Sequence, residues 1–354
     1  MKFICVDDYE KEAYKRLSKE SLGYYASGAD EEITLRANVE SFKKLKILPR
    51  FLRDVASVDM RLEVFGQQIN CPIGASPSAM HKLAHPEGEL ATARGLCRMG
   101  SIMTLSTLST TSLEDVARSS PGLVKWFQLY LFVDRKESLK LIKRAEAAGF
   151  KALVLTVDAP KFGTRRRDIK NNFKVAANFV ANFDQSSAKG LQSLDYIDAS
   201  IKWADISWLK SVTKMPVLIK GLMTVEDSLM ALEYKADGIV VSNHGGRQLD
   251  GVPATIEVLP AIARALNGRL PIFIDGGIRT GSDAFKCLAL GATMVFVGRP
   301  ILWGLACDGA HGVEQVMRLL RDELELTMKL SGCPSLKDIS PSMVIHESQL
   351  MSKL

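Results

Sequence analysis

The chain has 354 residues, 47% hydrophobic and 24% charged, which excludes wholesale disorder and leaves ample material for a large core. A net charge of +6 without a dominant lysine-arginine block points to anionic small molecules rather than nucleic acid, for which no motif is present. No apolar run approaches the length of a membrane span, and the mixed acidic and basic start MKFICVDDYEKEAYKRL lacks the apolar centre of a signal peptide. Cys5, Cys71, Cys97, Cys287, Cys307 and Cys333 form no Cys-x-x-Cys pair and lie near no histidine at zinc-finger spacing. They read as scattered thiols of a reducing compartment, and no metal site is expected.

Residues 1–60 read as helices that plug or cap the rest of the chain. Eight short apolar runs then alternate with amphipathic stretches: 72–75, 102–105, 126–129, 152–156, 217–219, 238–241, 272–274 and 293–297. Most are continuously apolar, as parallel strands covered on both faces should be. Between them, Pro86 with Glu87 and Glu89 opens a helix that Gly100 closes. Asp134 with Glu137 starts another in the manner of a capping box, with Leu139, Ile142 and Ala145 as its apolar stripe and Gly149 as its stop. Thr224 with Asp227 opens a third. The pattern predicts an α/β chain with a single (β/α)8 barrel over 72–331, preceded by the helical segment and followed by a tail over 332–354. The connection between the fourth and fifth runs is too long for a turn. Its polar, weakly periodic stretch within 160–203 is expected to be a mobile loop at the active-site mouth, with a spacer of no function as the alternative.

Working residues of such barrels sit where the strands end, and polar groups collect there. Pro77-Ser78-Ala79 follows the first run, Ser106-Thr107 the second, Gln128-Leu129-Tyr130 the third and Thr156-Val157-Asp158 the fourth. Lys220 follows the fifth, Ser242-Asn243-His244-Gly245-Gly246-Arg247 the sixth, Asp275-Gly276-Gly277-Ile278-Arg279 the seventh and Gly298-Arg299-Pro300 the eighth. The last two are a pair of glycine-arginine loops. Glycines let backbone N–H groups approach an anion and arginine offers a forked donor, so Gly277, Arg279, Gly298 and Arg299 predict a phosphate site. Two tight turns with solvated arginines are the plainer alternative. His244 has the pKa range of a general base, and Arg247 could hold a carboxylate beside the reacting carbon. Lys220 needs a partner charge: it could pair with Asp158 or Asp275, or stabilise negative charge on a cofactor ring. The run Arg165-Arg166-Arg167 alone reads as a solvated face.

These residues carry a resemblance. Tyr24-Tyr25-Ala26-Ser27-Gly28-Ala29, His85-Pro86-Glu87-Gly88-Glu89, Phe127-Gln128-Leu129-Tyr130, Leu155-Thr156-Val157-Asp158, Ser242 through Asp250, Asp275-Gly276-Gly277 and Gly298-Arg299-Pro300 occur in order over essentially the whole chain. The chain resembles the FMN-dependent 2-hydroxy acid oxidases, the group of glycolate oxidase, lactate oxidase and the long-chain hydroxy acid oxidases. The resemblance implies FMN across the barrel mouth, lined by Ser78, Ala79, Ser106, Gln128, Thr156, Lys220 and Ser242, with its phosphate at the glycine-arginine loops. It implies that Arg247, Arg165 and the Tyr24 hydroxyl bind substrate carboxylate and that Tyr130 touches the substrate hydroxyl. His244 takes a proton from the substrate while Asp158 holds the ring and favours its charged form; Arg166 and Arg167 remain solvated. It also implies a homotetramer.

Two positions depart from the glycolate oxidases. Ser78 stands where they carry threonine, which keeps the hydroxyl. Leu108 stands where they carry tryptophan, which shifts the expected substrate from glycolate toward longer or bulkier 2-hydroxy acids. The expected products are a 2-oxo acid and hydrogen peroxide; a dehydrogenase with another acceptor is the alternative, and no haem domain precedes the barrel. A nucleotide-processing barrel with a cysteine nucleophile is disfavoured by the cysteine-free long loop, and a non-catalytic barrel by His244 and Arg247. Ser352-Lys353-Leu354 match the C-terminal address read by the peroxisomal import receptor, which predicts a peroxisomal enzyme.

Overall fold

The structure, a computed structural model, describes residues 3–174, 180–183 and 196–350. Much of the expected mobile loop, at 175–179 and 184–195, and the tripeptide Ser352-Lys353-Leu354 lie outside the described residues. Eight parallel strands form a closed barrel: β1 (Ile73–Ala75), β2 (Ile102–Leu105), β3 (Val124–Leu129), β4 (Ala152–Thr156), β5 (Val217–Leu222), β6 (Gly238–Val241), β7 (Ile272–Ile274) and β8 (Met294–Val297). Each pairs with the next in chain order, and β8 closes on β1 through Val295–Ile73 and Val297–Ala75. Every residue of β1, β2, β4, β6, β7 and β8 is buried, because the lumen covers one face and helices the other.

Alternation along each strand divides the chain between two cores. Ile102, Trp126, Ala152, Val154, Leu218, Val240, Phe273, Met294 and Phe296 fill the lumen. Their neighbours, among them Phe127, Leu153, Leu155, Ile239 and Val295, join the larger layer between strands and helices. The lumen is stoppered where the strands begin by a hairpin of Leu62–Val64 and Gln67–Ile69, whose Phe65 ring lies 5.8 Å from Trp126 and 6.1 Å from Phe273. Two residues beyond the lumen layer the same parity turns polar. Trp126 leads to Gln128, Val154 to Thr156, Leu218 to Lys220, Val240 to Ser242 and Phe273 to Asp275. On β1 and β2 the corresponding inward positions are Ser76 and Ser106. The barrel therefore carries an apolar floor and a polar upper layer on the same strands.

Three helices precede the barrel, α1 (Val6–Arg16), α2 (Lys19–Ala26) and α3 (Ile33–Lys43). The helical reading of 1–60 stops at Lys43, since Leu45–Ile47 instead pair antiparallel with Val344–His346. A partner some three hundred residues downstream leaves no local trace in the sequence. The tail is likewise structured, with that strand and a short helix at Glu347–Leu350. The other predicted helices form at Gly88–Met99, with Gly100 left-handed at its end, and at Val225–Glu233, capped by Thr224. The helix Arg135–Ala147 starts where expected, but Asp134 accepts from the Lys136 N–H, a simple cap rather than a reciprocal box. The six cysteines are free, and among the described residues no group of histidine, cysteine and carboxylate side chains could hold a metal ion.

Candidate active site

The polar layer opens into a cavity of about 700 Å³ at the carboxyl ends of the strands, in the size range of small-molecule sites. β5 is irregular between Lys220 and Leu222, and Gly221 sits at φ +113°, with no room for a side chain: a Cβ would lie 2.6 Å from the Cβ of Asp158. Lys220, 3% exposed, donates to Ser242 Oγ at 2.8 Å and pairs with Asp275 at 3.4 Å. Asp275 is thus the partner that the sequence left undecided between two carboxylates. Ser76 donates to Asp275 Oδ2 at 3.0 Å. Ser242 stands behind Lys220 and supports it; it is not among the residues that line the cavity, as had been expected.

Three buried atoms of this layer have no protein partner: Gln128 Nε2, Thr156 Oγ1 and Asp275 Oδ1. Gln128 Oε1 is already held by the Thr107 N–H at 3.1 Å, so its amide donor end is the free one. An unsatisfied buried polar group costs about 1–3 kcal/mol, and three around one cavity make sense when a ligand rich in donors and acceptors fills it. The rim of a flavin ring, which alternates carbonyl oxygens, ring nitrogens and an N–H, fits this set. Pro77, Ser78, Ala79 and Ser106 line the same space.

Beside it, Gly276 and Gly277 have φ of +102° and +80°, and a Cβ on Gly277 would collide with the Asn38 carbonyl at 1.9 Å. Ile278 and Arg279 follow on the cavity wall, and a helix begins at Arg299 with Gly298 as its cap, where Gly298, Arg299 and Pro300 also line the cavity. Arg279 and Arg299 both line the cavity and also have partners within the chain. Arg279 pairs with Glu10 at 3.0 Å. The Arg299 guanidinium donates to the carbonyls of Tyr25, Gly245 and Ser27 at 2.9, 3.0 and 2.9 Å, and burial pushes its pKa down to about 9. Its side chain fastens the N-terminal segment to the barrel.

The loop after β6 carries three consecutive left-handed residues, His244 (φ +57°), Gly245 (+65°) and Gly246 (+73°). Such strain at a non-glycine residue is held in place by its surroundings: the His244 N–H donates to Ser242 Oγ at 3.1 Å, and a Cβ on Gly246 would strike the Leu35 backbone at 2.6 Å. His244 Nδ1 lies 2.9 Å from Asp158 Oδ1. Burial is the largest influence on this histidine and lowers its pKa; Asp158 raises it and Lys220 lowers it again. Asp158 thus favours the charged ring, as the resemblance implied, while burial works against it and lowers the pKa overall, which leaves the ring disposed to accept a proton. Asp158 itself is held below the usual carboxylate range by His244, against burial.

Two guanidinium groups face the histidine across the cavity. Arg247 lies 4.9 Å above the Tyr24 ring, bonds through one terminal nitrogen to the Tyr24 and Ser27 carbonyls, and is pushed down to about 10 by burial and then by Arg165. Arg165 lies 5.3 Å over the Phe162 ring, and its buried Nε has no partner. Tyr130 is buried on the same wall, its pKa raised by burial. Arg166 and Arg167 point away, as expected, but pair with Glu31 and Glu32 on the surface. The cavity also gathers residues the sequence reading passed over. Phe173 stacks on Tyr24 at 4.8 Å, Phe162 faces Tyr130, and Asp168 holds a partnerless Oδ1 with its pKa raised by burial, against the pull of Arg247 and Arg165. Asp168 lies three residues after Arg165, one turn along the helix Arg166–Lys170, and that spacing was its only signal. Leu108 lines the cavity, half-buried against the core.

A closed barrel whose strand-end cavity gathers a histidine beside a carboxylate, two arginines and three partnerless buried polar atoms has the architecture of a barrel enzyme acting on a small molecule. Residues 13–346 match the family model described as FMN-dependent dehydrogenase. The chain is 50% identical to "Glycolate oxidase 3" of Oryza sativa subsp. indica over 354 residues, 97% of this chain and 96% of that protein. It is 47% identical to "Glycolate oxidase" of Spinacia oleracea over 355 residues, 97% and 96% of the two chains. Among solved structures, mandelate oxidase superposes with a TM-score of 0.90 at 40% identity over 95% of this chain and 96% of that one. The chain belongs to the FMN-dependent dehydrogenase family, and its cofactor is FMN.

Proposed function

We propose that this protein oxidises L-2-hydroxy acids to 2-oxo acids with O₂ as electron acceptor, giving hydrogen peroxide, and that it favours medium-chain or bulky apolar side chains over glycolate. The observation that carries the reading is the His244–Asp158 contact of 2.9 Å on the same cavity as Arg165, Arg247 and the three partnerless polar atoms. Gln128, Thr156, Lys220 and Asp275 would hold the FMN ring, and the Gly276–Gly277 turn with the Arg299 helix start would hold its phosphate. Bound FMN supplies a two-electron acceptor for the hydrogen on the substrate's α-carbon.

The protein's own contribution is positioning and proton transfer. Arg165 and Arg247 grip the carboxylate, with Tyr24 at their side, and fix the face that the α-carbon presents. His244 takes the hydroxyl proton; Asp158 steadies the ring through Nδ1 and stabilises the imidazolium that forms. Tyr130 orients the substrate oxygen. Lys220, with Ser242 behind it, keeps a positive charge at the cofactor's edge. Leu108, Phe162 and Phe173 give the substrate tail an apolar wall.

The test is oxygen consumption and peroxide yield of the purified yellow protein in air over a series of 2-hydroxy acids. Stoichiometric peroxide with a kcat/KM that rises with chain length or bulk supports the reading. Turnover with an artificial acceptor but no peroxide would assign the protein to the dehydrogenases instead. We further propose that it works in the peroxisome as a homotetramer. Removal of Ser352-Lys353-Leu354 should leave activity intact and the protein cytosolic, and light scattering should return four chains per particle.

A further inference from the structure

The His244 and Arg247 loop does more than present those two side chains. Asn243 exchanges amide bonds with Asn38 of α3 at 2.9 and 2.8 Å, and Asp250 accepts from the backbone N–H groups of Glu31, Ile33 and Thr34. Both tie the N-terminal helices to the barrel. Gln248 reaches the other way, toward the loop after β4. Its Nε2 donates to the carbonyls of Asp158 at 2.8 Å and Lys161 at 2.9 Å, and its Oε1 accepts from the Gly163 N–H at 3.1 Å. Two carbonyls on one side and an N–H on the other permit only one orientation of the amide and use both its hydrogens. The side chain is buried at 7% exposure. The loops touch backbone to backbone at the same place, for a Cβ on Gly163 would lie 2.5 Å from the Gln248 carbonyl and 2.6 Å from that of Arg247.

We propose that Gln248 is a positioning residue that locks the β4 loop to the β6 loop and so sets His244 and Arg165 at the same time. The proposal rests on the reading of those two as base and carboxylate ligand. The β4 loop carries Asp158, whose carboxylate orients His244, and two residues beyond Gly163 it carries Arg165. The β6 loop carries His244 and Arg247. Each functional pair, Asp158 with His244 and Arg165 with Arg247, spans the two loops, and Gln248 contributes three bonds across the seam. The residues placed around the flavin ring stand at strand ends and do not depend on it.

The test uses holoenzyme of wild type, Gln248→Met, which keeps shape without the amide, and Gln248→Glu, which turns an oxygen toward two carbonyls. Three readouts are taken: FMN content, the dissociation constant of oxalate from its perturbation of the flavin spectrum, and the pH profile of kcat/KM. The expected result is full FMN content, at least tenfold weaker oxalate binding, at least tenfold lower kcat/KM, and an acid limb moved to lower pH as His244 loses Asp158. Glutamate should exceed methionine in effect. Oxalate binding and kcat/KM within twofold of wild type in the Met variant would overturn the proposal. Joint loss of FMN and fold in both variants would also overturn it, making Gln248 a scaffold residue. If wild type oxidises no 2-hydroxy acid yet oxalate binding still falls in the variants, the reaction assigned above is wrong while the clamp stands.

Discussion

The floor and the upper layer of the barrel are built from the same strands, two residues apart, and obey opposite rules. At the floor, Trp126, Phe273 and Phe296 interlock with ring centroids 5.1 to 5.9 Å apart and leave no room for a ligand. In the upper layer, Gln128, Thr156 and Asp275 each leave a buried polar atom without a partner. The floor has a partnerless buried atom too, Trp126 Nε1, but only the three of the upper layer belong to residues that line the cavity, where a ligand can complete them. Stability and chemistry are separated here by a single step of strand parity, so substitutions in the two layers should fail in different ways.

The largest separation is expected from His244→Ala. Loss of the general base should lower kcat by on the order of a thousandfold, while flavin content and melting temperature stay near those of wild type. Steady-state turnover beside a flavin absorption spectrum checks this, and near-normal turnover would remove His244 from the mechanism. The floor should behave in reverse. Trp126→Ala should cost about 3–5 kcal/mol of stability, read by denaturant unfolding, with kcat per bound flavin unchanged in the molecules that remain folded. A variant that keeps its stability but loses turnover would show that the two layers are coupled.

Asp158→Asn sharpens the account of the upper layer. Burial already holds His244 below its ordinary pKa while Asp158 works against that fall. Activity needs the neutral ring, so the acid limb of kcat/KM in wild type should lie below the ordinary histidine value. Removing the carboxylate takes away the raising influence, and the limb should move to still lower pH, with kcat reduced because the imidazolium loses its partner. A limb that moves to higher pH contradicts this assignment. The smallest effect is expected from Leu108→Trp. Each methylene buried against the pocket wall contributes about 0.8 kcal/mol, so the indole should shift the ratio of kcat/KM values toward the shortest acids by several-fold per carbon excluded. An unchanged chain-length profile would free Leu108 of any part in specificity.

Much of this was legible in the sequence because barrel strands buried on both faces write themselves as unbroken apolar runs, and all eight fall within two residues of the runs read from the sequence, save that β5 extends to Leu222. The polar strand ends were equally plain. Their partners were not. That Lys220 meets Asp275 depends on strand register and on the irregularity at Gly221, and neither is a local property. The guanidinium of Arg299, on the cavity wall, also donates to carbonyls of Tyr25 and Ser27, 274 and 272 residues earlier, contacts that no local pattern announces. The stoppering hairpin around Phe65 and the Leu45–Ile47 pairing escaped for a related reason: these short antiparallel strands are partly exposed and write no unbroken apolar run, unlike the buried three-residue strands of the barrel. Gln248 and Asp168 have side chains whose meaning lies wholly in what another loop brings to them.

If the upper layer holds FMN and His244 and the paired arginines deliver a 2-hydroxy acid to it, the flavin itself should report the reaction. The decisive experiment mixes the purified yellow holoenzyme, without oxygen, with an L-2-hydroxy acid and follows the visible flavin band. Wild type should bleach rapidly, His244→Ala at a rate at least a thousandfold slower with the flavin still bound, and the band should recover on admission of air. A wild-type band that no 2-hydroxy acid bleaches, or one that bleaches equally fast without His244, would contradict this assignment.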